Sequence, residues 1–363
     1  VGEKLLAIPV VMTKRNGDEL DGLAEVAKEA KKDSNSWPIM QDGDGTIQRN
    51  SDGLVESVAG HFNYQKPGVT LVKTVRDATG SDAGLQGADW DGRTVLVHNA
   101  RLRPPSLPNN GFQLVDDDIE SLGIDFLDNA SVTQSYYPEC ERLLKATTGA
   151  IQVKAFDHNV RSSRGFEEGK RLKGGNVVQQ PAPIVHGDYT ATSAPRRVEL
   201  LGEKPKLNDV LRPILGDKPL LCEAEVASVV KEGKRFALMN VWRNIVAEPV
   251  RHTPLACCDS QTQQSEDLLT FEIHYADRVG ENYFARHSDK HKWFYFPEMK
   301  RTEAMLIKQW DSKGALAQGG KADASDGRPS TFTLHSAFKD PMTTPETPSR
   351  ESIEVRCVLL FDD

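Results

Sequence analysis

The residues best equipped for chemistry are His186 and Asp188, separated only by Gly187, and His335 far along the chain. Two neutral imidazoles and one carboxylate bind a borderline divalent ion on one face and leave about three positions for a cosubstrate and dioxygen, an arrangement suited to non-haem ferrous chemistry. In a strand the side chains at i and i+2 share a face, so His186 and Asp188 can converge on one ion if the strand ends or turns there. Gly187 permits the close approach. The apolar run Ala182-Pro183-Ile184-Val185 leads in and Tyr189-Thr190-Ala191-Thr192 leads out, which puts the pair at a strand end. Taken alone, the H-x-D spacing is equally well a hydrogen-bonded surface pair, because 9 histidines and many aspartates produce it by chance.

The C-terminal segment strengthens the metal reading. Residues Thr331 to Phe338 alternate like a half-buried strand, and after a Pro-rich loop Arg350 to Phe361 reads as a second one. The two are expected to pair as a hairpin, with His335 completing the triad. A guanidinium presents a planar fork that matches a carboxylate in two parallel hydrogen bonds, as the distal carboxylate of 2-oxoglutarate requires. Arg350-Glu351-Ser352 fits such a clamp, with Ser352 as a second donor. Arg356 is the alternative, since a symmetric hairpin turn near residues 344–348 sets it opposite His335. Arg350 and Arg356 lie about 20 Å apart on a regular strand, so they cannot both hold one carboxylate; Arg350 is preferred. On the strand expected at 236–243, Asn240 or Arg243 can reach the cosubstrate's other carboxylate. They point to opposite faces, so at most one of them does.

The ordered run of motifs resembles a known family. The segments are Phe156-Asp157-His158-Asn159-Val160-Arg161, Val185-His186-Gly187-Asp188-Tyr189-Thr190, Asn240-Val241-Trp242-Arg243, Lys292-Trp293-Phe294-Tyr295-Phe296-Pro297, Trp310-Asp311-Ser312, His335 to Pro341 and Arg350 to Arg356. Together they resemble the Fe(II)/2-oxoglutarate-dependent oxygenases. More narrowly, the chain is similar to the fungal hydroxylase/desaturase family related to the cephamycin 7α-methoxylation protein of bacterial β-lactam clusters. The resemblance covers residues 85–363, with departures at 202–233, which reads as an insertion, and at 314–330, a polar excursion. It implies iron, 2-oxoglutarate and O2, with succinate and CO2 as coproducts of C–H oxidation in secondary metabolism. Hydroxylation, desaturation and ring closure, such as aziridine formation from an amino acid like valine, are the outcomes it implies. It also sets His158 and Arg161 on the substrate cavity, although a hydrogen-bonded turn closing the strand accounts for them equally well. The rival classes are a non-catalytic accessory subunit that keeps the barrel and a zinc hydrolase using the same triad.

The rest of the chain is what must position these groups. A length of 363 residues, 38% hydrophobic and 27% charged, is that of a globular protein. A net charge of -8 argues against nucleic acid or anionic membrane as partner and favours a small-molecule substrate, with a homo-oligomer or partner enzyme compatible. No apolar run approaches the roughly 20 residues of a membrane span. Five cysteines without C-x-x-C spacing read as free thiols of a reducing compartment, hence a cytoplasmic protein. A strand over Leu5–Met12, a helix over Glu19–Lys32 and a loop over 33–60 suggest an N-terminal extension, 1–60, packed on an oxygenase domain, 61–363. Strands follow at 69–75 and 94–98, then a short helix at 116–127. A clear helix spans 131–147, with Tyr136, Cys140, Leu143 and Leu144 on one face. Eight more strands between 151 and 361, interrupted by helices near 194–201 and 208–230, predict a mainly β fold with peripheral helices around a double-stranded β-helix, the cupin jelly roll.

Overall fold

The computed structural model describes residues 37–76, 84–321 and 327–363. The strand and helix expected within 1–36 lie outside these. Fifteen strands are described: β1 (Ile47–Arg49), β2 (Val55–Gln65), β3 (Leu71–Val75), β4 (Trp90–Asn99) and β5 (Phe112–Asp116) come first. β6 (Gln152–Ser162), β7 (His186–Gly187), β8 (Phe236–Asn244), β9 (Leu255–Cys258) and β10 (Leu268–His274) follow. β11 (Val279–Ala285), β12 (Trp293–Tyr295), β13 (Glu303–Asp311), β14 (His335–Ala337) and β15 (Glu351–Leu360) complete the set. They form a large sheet, β1-β2-β4-β12-β9-β14-β7-β11-β10-β3, and a small one, β5-β13-β8-β15-β6. The two sheets make a jelly-roll core, as the strand pattern predicts.

The small sheet explains where a polar site can exist inside such a core. On β15, Ile353, Val355, Cys357 and Leu359 are buried in one apolar cluster with Tyr137, Cys140 and Leu144 of the helix α1 (Tyr137–Thr148). Their alternates, Arg350, Ser352, Glu354 and Arg356, therefore face the other way, toward the large sheet. β8 and β13 are buried along their whole lengths, so their polar members, among them Asn240, Arg243, Lys308 and Gln309, are buried along with the apolar ones.

Several expectations are corrected. His335 and β15 do not form a hairpin: β14 has β7 on one side and β9 on the other, while β15 lies between β8 and β6 in the other sheet. The connection carries Pro341, Pro345 and Pro348, which supply no N–H donors for a tight paired turn, so it crosses between sheets instead. The helix expected at 116–127 is the end of β5 followed by a 3-10 turn, Glu120–Leu122, stopped by Gly123 at φ 57°. Residues 208–230 hold two short helices, Arg212–Leu215 and Glu223–Val230, because Gly216 and Pro219 interrupt the run. The loop at 33–60 contains β1 and the start of β2, which runs unbroken across residue 60. The clear helix does form, from Asn129 to Thr148, with one π-helical turn at Val132–Tyr136. Among the described residues no helix is long and apolar enough to cross a membrane.

Candidate metal centre

β7 is only two residues long. Pro181 and Pro183 just upstream cannot donate to a ladder, and the chain leaves the sheet at Asp188, whose N–H donates to Gln309 Oε1 at 3.2 Å. His186 pairs directly with His335 across the β7–β14 ladder, and the two rings sit 4.3 Å apart. Gly187 is needed for this geometry. A Cβ there would lie 3.2 and 3.3 Å from the Phe332 ring, which is stacked on Trp310 and Tyr283 and has little room to give.

One ligand atom from each of His186, Asp188 and His335 lies within 4.8 Å of the others. Both Nε2 atoms stand 3.9 Å from Asp188 Oδ1. The Nδ1 atoms meet backbone carbonyls, that of Ile184 at 2.8 Å for His186 and that of Thr333 at 3.2 Å for His335. A carbonyl only accepts, so Nδ1 carries the proton and the Nε2 lone pair points into the shared gap. Burial, with His335 adding to it, pushes the His186 imidazole down to about 4; burial also lowers His335. Burial alone would raise the Asp188 carboxyl, but Arg356 and the two imidazoles outweigh it and hold it well below the usual carboxylate range. Near neutral pH the three groups are thus two free bases and a carboxylate, the protonation states that metal binding requires.

Asp188 is held asymmetrically. Its Oδ2 accepts from Asn240 Nδ2 at 2.9 Å and from Arg356 Nε at 3.1 Å, which leaves Oδ1 to face the histidines. This donor set fits a divalent transition ion.

The two arginine alternatives separate. Arg356 also donates to Asp157 Oδ2 at 2.9 Å and to Glu354 Oε1 at 3.2 Å, so each of its three nitrogens already meets an acid. Arg350 is 3% exposed, donates through Nη1 to the Thr253 carbonyl at 2.6 Å and lies 5.5 Å from the Trp242 ring; its Nε has no partner. Ser352 Oγ, on the same face of β15, is also buried without a partner. Burial, reinforced by Arg161, pushes the Arg350 guanidinium down to about 9. Buried polar atoms left unpaired are uncommon, and here they coincide in the R-x-S pair.

The remaining site candidates divide by strand face. Asn240 points inward. Arg243 points outward, where it is fully buried against Tyr136 Oη, the Arg301 carbonyl and both the carbonyl and carboxylate of Asp117, so it does not reach the centre. His158 is opposite Val355 in the register, hence also outward, and its Nδ1 meets Tyr137 Oη at 2.9 Å. Arg161, opposite Ser352, is inward. Sequence reasoning missed Asp157, Glu354 and Gln309. The alternation of Arg350, Ser352, Glu354 and Arg356 with apolar residues was the signal for Glu354; nothing local marked the other two.

A family profile described as "Oxidoreductase/YMDC permease-like domain" matches residues 62–214 and 218–360. An uncharacterised protein from the dcmA 3' region of Methylophilus leisingeri is 38% identical over 48% of this chain and 81% of its own length. The Fe(II)/2-oxoglutarate-dependent dioxygenase nvfI of Aspergillus novofumigatus is 29% identical over 75% of this chain and 84% of its own. Hydroxylase/desaturase efuI of Hormonema carpetanum is 28% identical over 76% and 85% respectively. The solved iron and alpha-ketoglutarate-dependent endoperoxidase NvfI superposes with a TM-score of 0.63 and 25% identity, covering 84% of this chain and 98% of that one.

Proposed function

We propose how the site works from the premise that the chain belongs to this oxidoreductase family and is an Fe(II)/2-oxoglutarate-dependent dioxygenase. His186, Asp188 and His335 hold the iron through Nε2, Oδ1 and Nε2. The convergence of these three atoms, with every other polar atom of the triad already engaged, is the observation that carries the assignment. Bound iron and 2-oxoglutarate supply the oxidation of an unactivated C–H bond of a small molecule, with succinate and CO2 as coproducts.

The chain's own residues then bind and orient. Arg350 and Ser352 take the distal carboxylate of the cosubstrate, the one through its unpartnered Nε and the other through Oγ. Trp242, under the guanidinium, keeps that end dry and the clamp flat. Asn240 and Arg356 act on Asp188 rather than on the cosubstrate, fixing the carboxylate so that Oδ1 stays toward the ion. Whether the substrate is hydroxylated, desaturated or closed into a ring is set by its placement in the cavity. The five cysteines are all free, which supports a reducing, cytoplasmic setting.

The test is anaerobic reconstitution with Fe(II), followed by air and 2-oxoglutarate, with succinate measured by mass spectrometry. Iron-dependent succinate is expected, lost in His186→Ala and Asp188→Ala variants that keep the wild-type circular dichroism spectrum. Undiminished succinate in either variant, or zinc content with ester hydrolysis instead, contradicts the assignment.

A further inference from the structure

Asp157, Asp188 and Glu354 all give carboxylate oxygens to one guanidinium, that of Arg356. Among the described residues, two other arginines on these strands face the same interior with no acid in hydrogen-bond contact. Arg350 is one, already assigned to the cosubstrate. The other is Arg161, which pairs with Ser352 across the β6–β15 ladder, and residues paired across a ladder share a face. Among the described residues its one hydrogen-bond acceptor is the Gln180 carbonyl, at 2.9 Å from Nη1, and it makes no ion pair.

The carbonyls that receive Arg161 and Arg350 belong to Gln180 and Thr253, and both residues line the same cavity, of about 150 Å³. Ser163, Pro183, His252 and Lys339 are also on its wall. Pro183 and Lys339 lie on the chain segments that carry His186 and His335, and the Arg161 charge is close enough to the metal centre to lower both imidazoles. No acidic side chain lines it. Its own cation, Lys339, is paired outward with Asp42 at 2.7 Å. Burial lowers the Arg161 guanidinium, and the Glu354 and Asp188 carboxylates, neither of them in contact with it, offset that only in part. A guanidinium facing such a space is compensated best by a carboxylate in bidentate contact.

We propose that Arg161 is a substrate-binding residue and that the substrate is a small carboxylic acid, its carboxylate paired with the Arg161 guanidinium and its C–H bonds presented to the His186–Asp188–His335 group. The proposal rests on the reading of the site given above. A neutral or cationic substrate would leave this half-buried, inward-facing charge without an anion in contact, and an extended polymer would exceed the cavity.

The experiment separates the two layers. Protein loaded with Mn(II) in the absence of oxygen is first titrated with 2-oxoglutarate by calorimetry; no binding at this stage overturns the cosubstrate assignment itself. With 2-oxoglutarate saturating, the proteinogenic amino acids and short aliphatic acids are then each titrated against the corresponding amide. At least one acid is expected to bind about tenfold or more tightly than its amide. Arg161→Met should abolish that preference while changing the 2-oxoglutarate Kd by less than about twofold, and Arg161→Lys should restore part of it. If Arg161→Met does not fold, Arg161→Gln, which keeps a donor for the Gln180 carbonyl, carries the same expectations. Acids and amides binding alike, or no acid binding, overturns the proposal. So does an Arg161 variant that weakens 2-oxoglutarate, which would put Arg161 on the cosubstrate.

Discussion

At the scale of single residues, the division of labour on Asp188 is the most consequential detail. Two donors on Oδ2 fix the plane of the carboxylate and hold it ionised. Replacing Arg356 with Met is expected to weaken Co(II) or Fe(II) affinity by about 10- to 100-fold, as loss of an outer partner of a metal ligand does. Asn240→Ala, which leaves Arg356 in place, should cost less. Competition with a chromophoric chelator measures both, and wild-type affinity in Arg356→Met would show that Asp188 does not need this support. His186, Asp188 and His335 were legible in the sequence because few residue types bind metals and their order is restrictive. The use of Arg356 was not, because its strand lies in a different sheet from His335, and that sheet order is a long-range property.

At the scale of elements, the inner and outer faces of the small sheet carry different duties. The outer face anchors the π-helical turn, where Tyr136 Oη accepts from the fully buried Arg243 Nε at 3.0 Å. Tyr136→Phe leaves that donor unpaired and should lower stability by about 1–3 kcal/mol without changing metal affinity, a pair of readouts that denaturant melts and chelator competition supply. An effect on metal affinity would mean that Arg243 is coupled to the centre after all. Gly187→Ala belongs to the inner side: the added methyl must displace Phe332, at a cost of about 1–3 kcal/mol, and it should weaken metal binding as well, because the shift falls between two ligands. Long, periodic elements such as the 131–147 helix were readable from side-chain spacing. β9 (Leu-Ala-Cys-Cys) and β14 are too short to show a period, and β7 is a strand only because β11 and β14 flank it.

At the scale of the molecule, stability should depend on pH through histidines buried as free bases. His158, 3% exposed, has its imidazole pushed by burial from 6.5 down to about 4. Between those values the unfolded chain binds the proton and the folded one does not, so stability falls as pH drops from about 6.5 to about 4, by at most about 3 kcal/mol from this residue. His158→Gln, which keeps a polar contact for Tyr137, should flatten that part of a thermal-melt profile; an unchanged slope would place the acid sensitivity elsewhere. Fold class was legible because many short strands admit few architectures, whereas the pairing of β14 and β15 with other partners was not, since two sheets can exchange strands without altering local pattern. The most direct measurement is a crystal structure of the protein soaked anaerobically with Fe(II), with anomalous scattering recorded at the iron edge. One anomalous peak about 2.0–2.2 Å from His186 Nε2, His335 Nε2 and Asp188 Oδ1 is expected. Iron bound in stoichiometric amount at any other place, with these three atoms uncoordinated, would contradict it.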